Sequence, residues 1–424
     1  MSKLRDLTSG FTRNFWVANT LELFERFAFY GSKAVLTFYL AERVGLGPLV
    51  AASLAGLFSS VLYFLPILAG TVVDRYGFRK SLAACFSIFC VGYFLIGFAG
   101  MQYGQSIVGA VGRGPYIFAV LMLTAVGGSL IKPCIVGTVA RTTTPQTKAL
   151  GYSIYYTLVN FGGALGPILA LQVRQNLGIE YVLVVSSITS FFCLLGTLLF
   201  FREPEREPGE AAPSSFGKVL RDMLLVFGNG RFIGFLVIFS GFWIMFWQIF
   251  YSLPFYLTKA LHFERFELIE TVDAWTLILL TVPVAAMVRR WQPIRAMTAG
   301  FFVASCSWLI IIFFHSWQAV VVAMFVFAVG EGMQAPRFYE YVADLAPRDQ
   351  IGTFMGFAFL PVAIGSLVAG FLGGTLVQRF IGDPKQPLAS PHPEVMWWVV
   401  AGIGFASTVG MLLYDKLVSQ KVKA

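Results

Sequence analysis

The chain contains about twelve stretches of roughly twenty predominantly apolar residues, and short polar connections separate them. A helix that crosses the hydrocarbon core of a bilayer needs about 20 such residues. Only 12% of the 424 residues are charged, which is too few to cover the surface of a soluble protein of this length. We therefore predict an all-α polytopic membrane protein with transmembrane helices near residues 14–42, 49–73, 81–101, 116–139, 148–172, 180–201, 231–258, 267–287, 296–315, 318–345, 352–377 and 394–416.

Basic residues are concentrated in alternate connections between these spans. One set holds most of them, including Arg75, Arg79, Arg289 and Arg290, whereas the other set is sparse. Because Lys and Arg in short loops favour the cytoplasmic side, we predict an integral protein of the plasma (inner) membrane with both termini cytoplasmic. The same loops account for the net charge of +9, so no nucleic-acid partner is expected.

The cysteines and histidines show none of the spacings that are typical of metal sites or of disulfide frameworks. The five cysteines all fall inside predicted spans without a CxxC pair, and the three histidines lie at span ends or in loops. No nucleophile stands at a workable spacing from a base. We expect neither a metal nor another cofactor, and we do not expect an enzyme.

A charged interruption from Arg202 to Gly230 divides the spans six and six. We predict an N-terminal six-helix bundle over residues 1–201, a cytoplasmic linker over 202–230 and a C-terminal six-helix bundle over 231–424. Within the linker, "FGKVLRDMLLVFGN" has apolar residues at helical spacing, which predicts either a helix on the membrane surface or a solvated linker helix. Two such halves are typical of secondary transporters.

The first span carries an unusual set of ionisable residues. Glu22, Glu25, Arg26 and Lys33 fall with Tyr30 on one face of a helix. An ionised side chain at the bilayer centre costs roughly 2.5–3.5 kcal/mol, so this face must meet a water-filled cavity or ionic partners inside the protein. The simpler alternative, in which Glu22 and Arg26 neutralise each other at four-residue spacing, leaves the other two charges unexplained.

A loop motif narrows the fold. Between the second and third spans, "GTVVDRYGFRK" resembles the G-x-x-x-D-R-x-G-R-K loop of the major facilitator superfamily, at the position that the superfamily gives it. The resemblance implies structural or gating roles for Gly70, Asp74, Arg75 and Arg79, with the glycine at a tight helix end.

Four further segments resemble one family within this superfamily, the proton-dependent oligopeptide transporters. "ELFERFAFYG" is similar to its E-x-x-E-R-F-x-Y-Y-G motif, and "GGSLIKPCIVG", "YYTLVNFGG" and "VGEGMQAP" are similar to motifs of its fourth, fifth and tenth spans. The resemblance implies proton coupling by Glu22, Glu25, Arg26 and Glu331. It implies substrate binding by Arg26, Tyr30, Lys33, Tyr63, Lys132, Asn160 and Glu331, with cations receiving the substrate carboxylate and Glu331 its amino terminus.

Three positions depart from the family pattern. Trp247 stands where many bacterial members carry a coupling glutamate, Asp273 replaces an asparagine near the amino-terminal pocket, and Ala335 replaces a serine. Asp273 is added to the candidate substrate-binding residues because an extra acid there favours a more cationic substrate. Arg337 and Glu340, near the end of the tenth span, are interpreted as a salt-bridged gate or as plain helix packing.

The function implied is a proton-coupled symporter that imports di- or tripeptides by alternating access, as a monomer, driven by the proton gradient. One alternative keeps the fold and the coupling with another small charged solute, such as an amino acid derivative. A less favoured alternative is a non-transporting sensor, although a sensor would have no need of the coupling carboxylates.

Overall fold

The computed structural model describes residues 10–144, 146–204, 216–346, 351–382 and 392–419. The start of the linker and both ends of the chain, which we predict to be cytoplasmic, lie outside these residues. The described chain is helical throughout. Its α-helices are α1 (Arg13–Phe38), α2 (Pro48–Phe64), α3 (Pro66–Tyr76), α4 (Phe78–Phe98), α5 (Gln102–Val111), α6 (Arg113–Gly128), α7 (Ile131–Arg141), α8 (Lys148–Asn176), α9 (Ile179–Phe200), α10 (Phe216–Phe227), α11 (Gly230–Tyr251), α12 (Leu253–Phe255), α13 (Phe266–Val288), α14 (Pro293–Phe313), α15 (Trp317–Leu345), α16 (Ile351–Gly356), α17 (Leu360–Phe380) and α18 (Glu394–Tyr414).

The predicted count of twelve membrane-spanning segments is confirmed. Ten segments of the described chain are long and apolar enough to cross a membrane, and α2 with α3 forms an eleventh that bends by 50°. The bend falls at Leu65, directly before Pro66, where the proline ring cannot continue the preceding helix without losing a hydrogen bond. The twelfth is α1, whose charges set it apart from the others.

The helices pack into two compact units that do not follow chain order. Of the described residues, the first unit contains those up to Ser32 and from Leu65 to Leu220, and the second contains those from Lys33 to Phe64 and from Arg221 onward. The helix α1 therefore contributes its first twenty residues to one unit and its last six to the other. The division into halves at residues 201 and 231 remains a prediction about topology.

In the first unit, glycines of α8 lie directly on α1. A Cβ atom at Gly162 would lie 2.6 Å from the Arg26 Cβ, and one at Gly166 would lie 2.6 Å from the Phe27 carbonyl oxygen. Such distances are too short for any side chain, so only glycine lets the two backbones approach this closely. This contact fixes the charged face of α1 against α8.

In the second unit, glycines allow a similarly close contact between α2 and α17. A Cβ atom at Gly56 would lie 2.7 Å from the Ser366 carbonyl oxygen, and one at Gly370 would lie 2.4 Å from the Ala52 carbonyl oxygen. Elsewhere in this unit large rings fill the interior, as where Trp308 and Trp397 stack with centroids 5.0 Å apart. The glycine contact joins α2 closely to the C-terminal helices.

The predicted linker helix is present as α10. Met223 and Val226 are buried, whereas Leu220, Leu224 and Leu225 are exposed. An exposed row of leucines suits the acyl-chain boundary of a bilayer better than water, so the membrane-surface interpretation is favoured over a solvated linker helix.

The loop motif corrects one expectation. Gly70 lies inside α3, and a Cβ atom there would meet nothing within 4 Å. The tight helix end lies at Gly77, which follows the last residue of α3 with a φ of 89°. Only glycine adopts this backbone conformation without strain, so Gly77 is the residue that the turn requires.

Candidate functional site

Three charged residues of α1, Glu22, Glu25 and Arg26, are buried in the first unit, and Arg26 pairs with both carboxylates. The Arg26 guanidinium binds the Glu25 carboxylate in a two-pronged contact, from Nε to Oε2 and from Nη2 to Oε1 at 2.6 Å. The side chains of Glu25 and Arg26 are 2% and 4% exposed. A fork of this kind is among the strong charge-assisted hydrogen bonds.

The second carboxylate of α1, Glu22, pairs across helices. Lys132 of α7 donates to Glu22 Oε1 at 2.7 Å, and the Tyr155 hydroxyl of α8 donates to the same oxygen at 3.3 Å. Arg26 Nε lies 3.6 Å from it. The other oxygen, Oε2, has no hydrogen-bond partner among the described residues. We call Glu22, Glu25, Arg26, Lys132 and Tyr155 the coupling cluster.

The coupling cluster contains two acids and two bases, so its formal charges cancel. A cluster whose charges sum to zero costs less free energy to bury in a membrane interior than an unpaired charge does. Each charged member then depends on its partners. If a cation leaves Glu22, the carboxylate must gain another cation or a proton. The arrangement can therefore exchange a proton for an ion pair, which is the chemical step that coupling needs.

Two other predicted residues lie beside this cluster. The Arg26 guanidinium carbon is 5.8 Å from the centroid of the Tyr30 ring. Asn160 is half-buried on α8, two residues before Gly162. Tyr155 was missed from the sequence: the pair "YY" in the motif of the fifth span was visible, but helical phase alone did not show that Tyr155 rather than Tyr156 faces Glu22.

The structure does not bring Lys33 together with Arg26 and Lys132. Lys33 lies in the second unit, where Nζ donates to Ser59 Oγ at 2.5 Å and to Tyr251 Oη at 3.1 Å. The same nitrogen is 4.6 Å from the centroid of the Trp247 ring, which is within the range of a cation–π interaction. Trp247, which stands where the family pattern has a glutamate, therefore contacts this cation.

Trp247 is held firmly in that position. Its indole nitrogen donates to the Val362 carbonyl oxygen at 3.3 Å, and its ring stacks on Tyr251 at 5.7 Å between centroids. The predicted substrate residue Tyr63 also contacts Trp247, with ring centroids 5.9 Å apart. The Trp247 and Tyr251 rings lie 4.6 and 4.7 Å from the Lys33 ammonium.

Asp273 on α13 and Glu331 on α15 also belong to the second unit. Oδ1 of Asp273 and Oε2 of Glu331 are buried without a hydrogen-bond partner in the described chain, and the two carboxylates repel each other electrostatically. Neither forms an ion pair with any residue that the structure describes. Ala335, one turn after Glu331, is partly buried. The pair presents negative charge that a cationic ligand group could neutralise.

Arg337 and Glu340 are joined within α15. Arg337 Nη1 lies 2.6 Å from Glu340 Oε2, and Nη2 donates to the Val288 carbonyl oxygen at 2.9 Å. The second contact ties α15 to the last residue of α13. The gate interpretation remains a prediction, since the same contacts also serve helix packing.

The loop between α3 and α4 is secured by a residue that the sequence did not single out. Glu203 accepts hydrogen bonds from the backbone N–H groups of Phe78 and Arg79, at 2.7 and 2.9 Å. The Arg79 side chain donates to the Leu198 carbonyl oxygen at 2.6 Å. Asp74 and Arg75 are exposed, and Gly70 and Asp74 line a cavity of about 370 Å³. A carboxylate at a helix N-terminus is favoured by the helix dipole, although its distant position in the chain hides it from motif searches.

The Glu22–Lys132 pair gives a direct test of the coupling cluster. We expect Lys132→Met to destabilise the protein by about 3 kcal/mol, because the buried Glu22 then loses its shortest ion pair and keeps only the 3.6 Å contact with Arg26, which Glu25 also binds. Thermal unfolding of the purified protein measures this as a lower melting temperature. The control is Lys259→Met, which removes an exposed ion pair to Glu42 at 3.2 Å and should cost about 0–1 kcal/mol. Equal losses in the two variants would contradict the importance of the buried pair.

Twelve spans with buried, paired charges on the first of them define a polytopic membrane protein of the transporter class. The chain belongs to the Major Facilitator Superfamily, whose family model matches residues 20–270 and 266–423. The superfamily expected from the loop motif is therefore confirmed.

Known proteins of similar length match most of the chain. It is 22% identical over 387 residues to the multidrug resistance protein MdtH of Klebsiella pneumoniae (strain 342), which covers 89% of this chain and 88% of that protein. It is 22% identical over 466 residues to the dipeptide and tripeptide permease A of Escherichia coli (strain K12), with coverage of 93% and 90%. A relative named as a peptide permease and one named as a multidrug resistance protein thus share the same sequence identity with this chain.

The fold is shared with a solved POT family transporter in complex with 5-aminolevulinic acid. The TM-score is 0.77 at 16% identity, over 95% of this chain and 96% of that one. At this identity the similarity shows the fold, and the choice of cargo has to be argued from the residues.

Proposed function

We propose that the protein is a proton-coupled symporter that imports di- and tripeptides by alternating access. One observation carries the proposal: Glu22 is fully buried between the cations Lys132 and Arg26, with one carboxylate oxygen unpartnered. A carboxylate in this position can take up a proton only when its cations find another anion. A peptide carboxylate is such an anion.

The step we propose is an exchange of partners. The substrate carboxylate binds Arg26 or Lys132, and a proton binds Glu22 at the oxygen that the cation leaves. One O–H bond forms on Glu22, and the number of unpaired charges stays unchanged. Proton binding and substrate binding therefore support each other, as reciprocity of coupled binding requires.

The chain also supplies groups for the other end of a peptide. Asp273 and Glu331 are half-buried acids, each with one buried carboxylate oxygen and no ion pair among the described residues, and an α-amino group carries the complementary charge. The chain therefore offers cations that can bind the carboxylate of a zwitterion and acids that can bind its amino group. In this proposal the protein works as a monomer in the plasma (inner) membrane, with the proton gradient as its only energy source.

The test uses purified protein in proteoliposomes that contain a pH-sensitive dye. We expect an inward proton flux when di- or tripeptides are added outside, from a library that covers neutral, acidic and basic side chains. If the protein is folded and no peptide moves protons, the peptide proposal fails. Entry of protons with a different small charged solute, such as 5-aminolevulinic acid, would keep the mechanism and change the cargo.

A second candidate function is drug efflux by proton antiport, which is favoured by the relatives named multidrug resistance protein MdtH. The same liposomes distinguish the two. Efflux predicts that a lipophilic cation added to one side moves against the proton flux, whereas peptide symport predicts that substrate and proton move in the same direction.

The role of the two acids is tested with Glu331→Gln. We expect the concentration of peptide needed for half-maximal uptake to rise about tenfold, because an ion pair to the peptide amine is worth roughly 1.4 kcal/mol more than the amide contact. Uptake of N-acetylated peptides should not change between wild type and variant. An unchanged half-maximal concentration for free peptides would remove Glu331 from the binding site.

A further inference from the structure

Glu270 is a buried carboxylate to which the mechanism above assigns no role. It lies in the second turn of α13, is 6% exposed, and neither of its oxygens has a hydrogen-bond partner in the part of the chain that the structure describes. Burying an ionised carboxylate without any partner is among the costliest arrangements in a protein. Glu270 must therefore either carry a proton or pair with a cation in another conformational state of the protein.

The helices that carry Lys33 and Glu270 are in contact: the ring of Phe38, five residues after Lys33 on α1, lies 5.4 Å between centroids from the ring of Phe266, four residues before Glu270 on α13. The acid next to Glu270 on α13 is Glu267, one turn earlier. Lys33 is 2% exposed, and among the described residues its ammonium contacts neutral groups: the Ser59 and Tyr251 hydroxyls and the rings of Trp247 and Phe58. No carboxylate of a described residue lies within ion-pair distance of it. Both groups are thus buried, opposite in charge and not in contact.

The neutral surround of Lys33 is built from three helices of the second unit. Ser59 is on α2, while Trp247 and Tyr251 are on α11; the Tyr251 hydroxyl lies 2.7 Å from Ser366 Oγ on α17. In turn, Ser366 Oγ donates to the Gly56 carbonyl oxygen at 3.1 Å, at the close contact of α2 and α17. Because Ser59 lies on α2 and Tyr251 on α11, a movement of α2 away from α11 and α17 would part the two hydrogen-bond acceptors of the ammonium from each other.

We propose that Glu270 is a second proton-binding residue of this transporter, with Lys33 as its exchangeable counter-charge. While α2 and α17 are packed together, Lys33 is held by Ser59, Tyr251 and Trp247, and Glu270 carries a proton. When they separate, Lys33 pairs with Glu270, whose O–H bond breaks and whose proton leaves to water. A carboxylate on α13 thereby supplies the acid that Trp247 cannot.

This proposal rests on the proposed function for its role in transport, but its chemistry can be tested separately. The variant is Glu270→Gln, and the control is Glu42→Gln, which changes a partly exposed carboxylate of the same unit paired with Lys259. Two measurements are made on each protein: the ratio of gradient-driven accumulation to counterflow in liposomes, and infrared difference spectra between acidic and neutral buffer, which report carboxyl groups that gain protons.

We expect Glu270→Gln to lower the ratio of accumulation to counterflow at least tenfold and to remove one carboxyl band from the spectrum, while Glu42→Gln retains both. Lys33→Met should lower the ratio as strongly, and the double variant should lose no more than either single one, because the residues act as a pair. An unchanged ratio or an unchanged carboxyl spectrum in Glu270→Gln overturns the proposal. If the wild type shows no counterflow with any peptide, the proposed function has failed, and the infrared spectrum decides alone whether Glu270 binds a proton.

Discussion

Replacing Glu22 with glutamine should reduce peptide-driven proton entry by about 100-fold, which corresponds to roughly 2.8 kcal/mol. Glutamine keeps the size of the side chain and can accept a hydrogen bond from Lys132, but it cannot take up a proton. It also leaves Lys132 and Arg26 with one fewer anion, so a peptide carboxylate should still bind. The expected variant binds substrate and does not couple it to protons.

The measurement is the proton flux in liposomes, alongside peptide counterflow in the same preparation. Glu394→Gln serves as the control because its partly exposed carboxylate pairs with the exposed His392, at 3.4 Å. Retention of wild-type proton entry by Glu22→Gln would show that the buried pair with Lys132 is structural. Loss of folding is checked by the melting temperature of the detergent-solubilised variant.

The second large effect is expected from Gly56→Leu. The new Cβ would lie 2.7 Å from the Ser366 carbonyl oxygen and 2.8 Å from the Gly370 Cα, and both are backbone atoms that cannot move alone. The helices α2 and α17 would have to separate, which opens the contacts of Ser366 and Tyr251. We expect a loss of at least about 3 kcal/mol in stability of this packing, at the upper end of the usual cost of overpacking, and loss of peptide accumulation.

Distances between spin labels on α2 and α17 measure the separation directly, and accumulation is measured in parallel. The matched control is Gly402→Leu on α18, where a Cβ atom would meet nothing within 4 Å. A Gly56→Leu protein with unchanged label distances would show that the backbones do not need this contact.

The helices themselves could be predicted because hydropathy over twenty residues depends on local sequence alone. The bend at Leu65 was missed, since a proline within an apolar window does not say whether the span kinks or ends. The short helix α5 was missed because its ten residues lie between two predicted spans. Helix α1 was predicted from its apolar window, and its ionisable residues were assigned to the protein interior because they share one face.

The coupling cluster was partly predictable for a similar reason. Glu22, Glu25 and Arg26 are neighbours on one helix, and Lys132 stood out as a lone cation within a span. The placement of Lys33 was not predictable, because its contacts with Ser59 and Tyr251 join residues 26 and 218 positions apart. Glu270 was visible in "ELIETVD" beside Asp273, but sequence shows neither that its oxygens lack partners nor which cation it faces.

The unbroken course of α1 through both packing units has a consequence for dissecting this protein into fragments. Seven residues, or about 10 Å of helix, join Arg26 in one unit to Lys33 in the other. A protease that nicks the connection between Phe200 and Phe216 would leave α2 on the N-terminal fragment while its glycine contact, α17, stays on the C-terminal one. The two fragments would then remain associated through α2, so split versions of this chain should reassemble when they are co-expressed, and neither half is a natural unit for isolation.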